Sequence, residues 1–238
     1  MVPADANHLV VDTKASLIYR RLKQDILDGR LEPGQKLAAS RMAESYGVSV
    51  IPLREAFSLL IAEGLLTNIP HKGTYVTEIE VDQIEEMNPI AAILEGYAAR
   101  EACSHLGSED LDRLSQLLEE MEQAGEDGRY SEMSDRHQEF HMTIYRASKN
   151  ERLVMYIEDL WQKTGRARFF GLVPTRAIRS IEEHRQIVEA LRMRDNLEAE
   201  RLVIEQKEKA AKAMIEYLKR REGSRDKKGN VKDTAKSS

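Results

Sequence analysis

Apolar residues recur at helical spacing through most of this 238-residue chain, and the breaks between periodic stretches are short. Leu17, Ile18, Leu22, Ile26 and Leu27 form one stripe and predict a helix over 15–28. Gly29 follows where a left-handed C-terminal cap sits, and Pro33-Gly34 makes a turn. Ser40 is placed to cap a short helix that runs through Tyr46 and ends at Gly47. Ser49 is placed to cap the next, over 51–63, whose first turn tolerates Pro52 because that N–H has no intrahelical partner. The period then drops to two. Leu65 to Ile69 and Thr74 to Thr77 are β-prone runs around Pro70-His71-Lys72-Gly73, which predicts a hairpin with a glycine at its tip.

Beyond Val81 the helical pattern returns and holds almost to the end. It predicts helices at about 81–88, 89–106, 108–125, 129–147, 150–171, 174–193 and 195–221. Gly107 closes one helix, and Ser108 with Asp110 opens the next. No period of 20 to 50 residues repeats, which argues against a solenoid. Residues 1–14 lack periodicity and read as a flexible lead, while 222–238 are polar and basic and read as a disordered tail. The expected fold is mostly α: a winged helix-turn-helix over 15–78, then an all-α helical bundle over 79–221.

Composition agrees with that class. Aromatics are 5% of residues and charged residues 32%, a balance that favours helices over a sandwich or barrel. Cys103 is the single cysteine, so no internal disulfide can form and a reducing cytoplasm is the expected home. No apolar run approaches the roughly 18 to 20 residues of a membrane span. The formal net charge of −5 is not the footprint of a nonspecific nucleic-acid binder. Between Ala15 and Thr77, however, eight basic residues outnumber six acidic ones, so the acidity lies elsewhere and short-range contacts with DNA remain open.

In a helix-turn-helix the second helix of the pair enters the major groove. Here Ser45-Tyr46-Gly47-Val48-Ser49 is the turn, with Val48 filling the space between the helices and Ala43 allowing them to approach. Leu53, Ala56, Phe57 and Leu60 are expected inside, which leaves Ser49, Val50, Ile51 and Arg54 toward DNA. A serine beside free helical N–H groups can hold a phosphate, and an arginine one turn in can fork onto guanine O6 and N7. Ser40 and Arg41 are placed to touch the backbone, and His71, Lys72 and Gly73 of the wing to approach the minor groove.

The stretch from Leu17 to Val76 resembles the N-terminal domain of the GntR family of bacterial transcription regulators. The resemblance implies double-stranded DNA as partner. One departure stands out: where the family commonly has Ser-Arg-Thr-Pro-Val-Arg-Glu-Ala-Leu, this chain has Ser49-Val50-Ile51-Pro52-Leu53-Arg54-Glu55-Ala56-Phe57. One arginine contact is replaced by Val50, so an altered operator is expected, with Val50 and Ile51 set to meet thymine methyl groups.

The helical half resembles the FCD effector-binding domain of the FadR-like subgroup. The residues that carry this are Leu94-Glu95 with Ala98-Ala99, Phe140-His141 followed by Ala147-Ser148-Lys149-Asn150, Glu183-His184 with Ile187 and Ala190-Leu191, and Arg194-Asp195 with Ala199. His137 and His141, four apart, share one helix face and can converge on one ion with His184. Metal-binding members of the family carry an Asp at the position of His137 and a further His at that of Gln206. The resemblance therefore implies an altered site in which His137, His141 and His184 hold a divalent metal such as zinc or nickel, or line the effector pocket together with Gln206. Arg166, Arg168, Arg176 and Arg179 are further candidates to grip a carboxylate, and Met121, Met133, Met142, Met155 and Met193 are expected in the core.

These readings imply a homodimeric regulator, a repressor, that binds a palindromic operator and responds to a small organic or sugar acid. A constitutive dimeric DNA binder whose bundle only dimerises is the alternative. A metal-dependent hydrolase or isomerase is disfavoured because no general base accompanies the histidines: Glu139 points away from them on an ideal helix and Glu183 merely neighbours His184.

Overall fold

A computed structural model describes residues 13–164 and 169–234. The first helix, α1 (Lys14–Leu27), begins at Thr13, whose side chain accepts from the Ser16 N–H at 3.1 Å. It buries Ile18, Leu22, Ile26 and Leu27, while Leu17 faces solvent. The turn after it takes the expected left-handed residue, Gly29, at φ +74°. Next come the short strand β1 (Lys36–Leu37), α2 (Ala39–Ser45) and α3 (Val50–Ala62).

Helix α2 starts earlier than expected: Ala38 is its N-cap, and Ser40 lies within the first turn instead of capping it. Ser49 does cap α3 by backbone position, but its hydroxyl makes no capping bond. Between them Gly47 adopts φ +63° with no neighbour near the place of a Cβ, so its torsion alone explains the glycine. Val48 N–H then donates to Ala43 carbonyl at 3.0 Å, closing the turn.

The wing has three strands, not two. β2 (Leu66–Ile69) and β3 (Gly73–Val76) pair antiparallel with Leu66 opposite Val76, and β1 adds to the other edge of β3 with Lys36 opposite Tyr75, giving the order β1-β3-β2. Two residues of β1 carry too little pattern to be seen in sequence. At the tip the left-handed position just before Lys72 belongs to His71, φ 62°, while Gly73, φ 108°, already opens β3. Leu22, Leu53, Leu60, Leu66 and Val76 close a core private to this unit.

The second half consists of α4 (Val81–Ala102), α5 (Ser108–Glu126), α6 (Tyr130–Ala147), α7 (Glu151–Lys163), α8 (Phe169–Leu172), α9 (Pro174–Arg192) and α10 (Asn196–Thr234). Asp110 helps to open α5 as expected, accepting from the Gly107 N–H at 2.8 Å, but Gly107 is the N-cap of that helix and does not close α4, which has already ended at Ala102. The two helices expected at 81–88 and 89–106 are one. Pro89 sits within α4 on its exposed face and does not end the helix. The expected 150–171 helix is interrupted: α7 stops at Lys163 and α8 is a separate turn. Arg166 and Arg168 lie outside the described residues, as do most of the lead and residues 235–238.

Helix α10 continues to Thr234, past the boundary expected at 221. Extending an existing helix avoids the cost of nucleation, and the lysine and arginine of this stretch are good helix formers. The bundle core runs through Leu114, Leu117, Met121, Met133, Phe140, Ile144, Ile187, Leu191 and Val203. Met155 and Met193 are not in it. Met155 lies opposite the buried face of α7, and Met193 caps α9 on the outside.

The two halves meet along α1. Asp28 Oδ1 accepts from the Ser131 N–H at 2.7 Å, and Arg221 reaches from α10 to Glu32 at 3.0 Å and to the Pro33 carbonyl at 2.7 Å. Closest of all is Gly171 of α8. A Cβ there would fall 1.9 Å from the Leu27 carbonyl oxygen, so only glycine permits this approach.

Candidate functional site

Two clusters stand out, one on the outside of the winged unit and one inside the bundle. On α3, Leu53, Ala56, Phe57 and Leu60 turn inward, while Ser49, Ile51 and Arg54 are exposed and Val50 is half-buried. Ser40 and Arg41 on α2 are exposed too, as are His71, Lys72 and Gly73 on the wing. Arg54 forms no ion pair within 4 Å among the described residues, so neither Glu44 nor Glu55 ties it down. Lys36 of β1 adds a further basic group, its Nζ lying over the Tyr75 ring at 5.7 Å from the centroid. The arrangement leaves a helix N-terminus, a hydroxyl, two aliphatic side chains and a guanidinium on one open face.

The bundle keeps its polar chemistry inside. His137 is 5% exposed, and His141 and His184 are fully buried. His137 and His141 come from α6 and His184 from α9. Their Nε2 atoms converge, His141 lying 3.1 Å from His137 and 3.0 Å from His184. Phe140, Trp161 and Phe170 wall the cluster, with Phe170 edge-on to His137 at 4.8 Å between ring centroids.

The hydrogen bonds on the far sides of two rings decide where their protons sit. His184 Nδ1 faces the Ser180 carbonyl at 2.5 Å, and a carbonyl only accepts, so that nitrogen carries the proton. His141 Nδ1 faces the Tyr145 hydroxyl at 2.9 Å, and that hydroxyl donates to Glu95 Oε2 at 2.6 Å, so His141 donates as well. Neutral His141 and His184 thus aim lone pairs at each other across 3.0 Å. That contact is favourable only with positive charge between the nitrogens, a shared proton or a cation. Two imidazole nitrogens bound at about 2.0–2.1 Å to one tetrahedral zinc ion are separated by roughly 3.3 Å, slightly more than the spacing here, so a small opening of the rings lets the donor set hold a divalent metal.

Sequence reasoning missed the role of four residues around this centre: Glu95, Tyr145, Trp161 and Lys207. Glu95 of α4 is fully buried, and its Oε1 receives Trp161 Nε1 at 2.7 Å and Lys207 Nζ at 2.5 Å. Lys207 of α10 is itself 2% exposed and lies over the Trp161 ring, 5.8 Å from its centroid. A glutamate among Leu94, Gly96, Ala98 and Ala99 was the available signal; Lys207 sits in a lysine-rich run that hides it. Gln206 is buried beside Lys207. Of the candidate arginines, Arg179 is exposed, and Arg176 pairs with Glu183 at 2.5 Å. Glu139, expected to point away from the histidines, is occupied by Arg113 at 2.6 Å and Arg136 at 3.1 Å.

A cavity of about 410 Å³ opens beside His137 and Trp161 and lies between the two halves of the molecule. Lys23 and Leu27 of α1 and Glu63 to Leu65 line one side; Ser134, Asp135, Gln138 and Met142 line the other. Lys23 pairs with Glu63 at 3.1 Å. Burial works against the Lys23 charge, but Glu63 and Tyr19 outweigh it and hold its ammonium above the usual range. Burial pushes the Asp135 carboxyl up.

Among the described residues no helix is long and apolar enough to cross a membrane. Comparison with known proteins agrees with both halves. Residues 14–76 match the family described as bacterial regulatory proteins, gntR family, and residues 86–219 match the FCD domain. The HTH-type transcriptional regulator McbR of Escherichia coli is 31% identical over 177 residues, which covers 73% of this chain and 80% of McbR. The HTH-type transcriptional repressor GlaR of the same organism is 30% identical over 196 residues, covering 78% and 88%. A solved structure of E. coli McbR/YncC superposes with a TM-score of 0.66 at 27% identity, covering 87% of this chain and 98% of that one. These relatives are transcription regulators and not enzymes. The outward-facing helix α3 with its wing, and the helical domain that follows, make this chain a member of the GntR family of DNA-binding transcription regulators, with an FCD domain as its second half.

Proposed function

We propose that this protein is a repressor whose operator affinity is set by a small organic or sugar acid bound in the helical domain. The observation that carries the reading is the pairing, in one chain, of an open recognition face with a buried three-histidine centre. On the DNA side, Arg54 is the base reader, set to fork onto a guanine, and the α3 N-terminus with Ser49 holds a phosphate. Val50 and Ile51 meet thymine methyl groups. Ser40 and Arg41 anchor the backbone, and His71, Lys72 and Gly73 follow the minor groove.

One such unit offers few base contacts, and a twofold pair doubles them on a palindromic site. The bundle has a surface suited to pairing. Pro89, Ile90, Ile93 and Tyr97 form an exposed apolar stripe along α4, with Ile90 54% and Ile93 65% exposed. We read it as the homodimer seam.

His137, His141 and His184 would hold a zinc or nickel ion, which supplies a Lewis-acidic anchor for an effector carboxylate. Gln206 would complete the effector pocket. The way from that pocket to DNA is short: Phe170 packs on His137, and the next residue, Gly171, packs on the end of α1. A ligand that shifts His137 or enters the adjoining cavity moves a contact shared by both halves. It can alter operator affinity only by as much as it prefers one arrangement over the other.

The test is operator selection with the purified protein, followed by release with organic and sugar acids in the presence and absence of zinc. The reading expects one palindromic sequence, bound by a dimer and released by at least one acid. Tight operator binding that no acid changes would favour the constitutive binder instead.

A further inference from the structure

The histidine centre is backed by a second layer of buried polar groups. The Glu95 carboxylate lies in the interior with Trp161 Nε1 and Lys207 Nζ on one oxygen and the Tyr145 hydroxyl on the other. A carboxylate paired with a buried ammonium is ionised and can only accept. The single O–H of Tyr145 is therefore committed to Glu95 at 2.6 Å, and its oxygen lone pair is left for His141 Nδ1 at 2.9 Å.

We propose that Glu95 and Tyr145 are positioning residues that lock His141 as its Nδ1–H tautomer, so that its Nε2 lone pair is presented to a divalent cation shared with His137 and His184. This rests on the reading of the three histidines as a cation site. The opposite proton arrangement, with Tyr145 donating to His141, would leave Glu95 Oε2 facing an oxygen lone pair. It would also place the imidazole proton on Nε2, in the middle of the centre, where it blocks coordination. The Ser180 carbonyl does the same for His184. Glu95, Tyr145 and Lys207 lie on α4, α6 and α10, so the state of one ring depends on the registry of three helices. Outer partners of this kind typically change metal affinity 10- to 100-fold when removed.

The full-length protein, metal-free, provides the first readout. Nitrogen-15 imidazole spectra are expected to show wild-type His141 as the Nδ1–H form, and Tyr145→Phe to shift it toward Nε2–H. Zinc competition against a chromogenic chelator provides the second, with Tyr145→Phe expected to bind 10- to 100-fold more weakly under conditions where circular dichroism shows the metal-free variant still folded. Wild-type His141 found as Nε2–H would overturn the proposal, whether or not the variant folds. So would unchanged tautomer and zinc affinity in Tyr145→Phe. A wild-type protein that binds no zinc would instead sink the cation reading, while the tautomer spectra still decide the role of Tyr145.

Discussion

The two halves of this molecule handle polar chemistry in opposite ways. The winged unit keeps an apolar interior and exports its chemistry: Ser49, Ile51, Arg54 and Lys72 face solvent and contribute little to holding the unit together. The bundle imports it, with Glu95, His137, His141, His184 and Lys207 inside the same core that holds its helices in place. The difference teaches where mutation should separate function from folding. In the outer cluster the two are independent; in the inner one they are the same atoms.

The sharpest contrast comes from Glu95→Ala. It leaves the Lys207 ammonium buried without its carboxylate partner and is expected to cost about 3–5 kcal/mol, read as a shift in the urea midpoint. A change below about 1 kcal/mol would mean that the inner cluster is not structural and would break the contrast. Gly171→Ala tests the seam between the halves. The added methyl has no room against the Leu27 carbonyl, and overpacking of this kind costs about 1–3 kcal/mol. Faster proteolysis between the wing and α4, with the bundle's own unfolding unchanged, is the expected signature.

Arg54→Ala should do the converse. Operator affinity is expected to fall by roughly 1–3 kcal/mol in an anisotropy titration, while the melting temperature and oligomeric state remain as in wild type. Loss of folding along with binding would show that α3 is not a purely outward reader. The smallest effect is expected from Val50→Arg, which adds one contact at one base position, worth about 1 kcal/mol. It should shift the preferred operator in a selection experiment; an unchanged preference would remove Val50 from the reading surface.

The same contrast explains what the sequence could disclose. The reading head was legible because its signals are contiguous: Gly47, Ser49, Pro52 and Arg54 fall within eight residues, each with a local physical meaning. Even so, Ser40 as a cap failed, since the chain enters α2 through Ala38, and the two-residue strand β1 left no trace. In the bundle, the spacing of His137 and His141 disclosed two members of the inner cluster, and His184 joined it through family resemblance. Glu95, Trp161 and Lys207 stand far apart in sequence and meet only through tertiary packing, which no local pattern records, whereas Tyr145 lies one turn beyond His141 and was open to the same spacing argument. Pro89 misled for a related reason: whether a proline breaks a helix depends on the packing on either side of it, and that is a property of the fold.

Gly171 carries a consequence for engineering. Chimeras that exchange the first 77 residues for the head of another regulator would acquire a new genomic address. Whether the helical domain still seats such a head depends on how the transplanted first helix terminates, because Gly171 meets the Leu27 carbonyl with no room for a side chain between them.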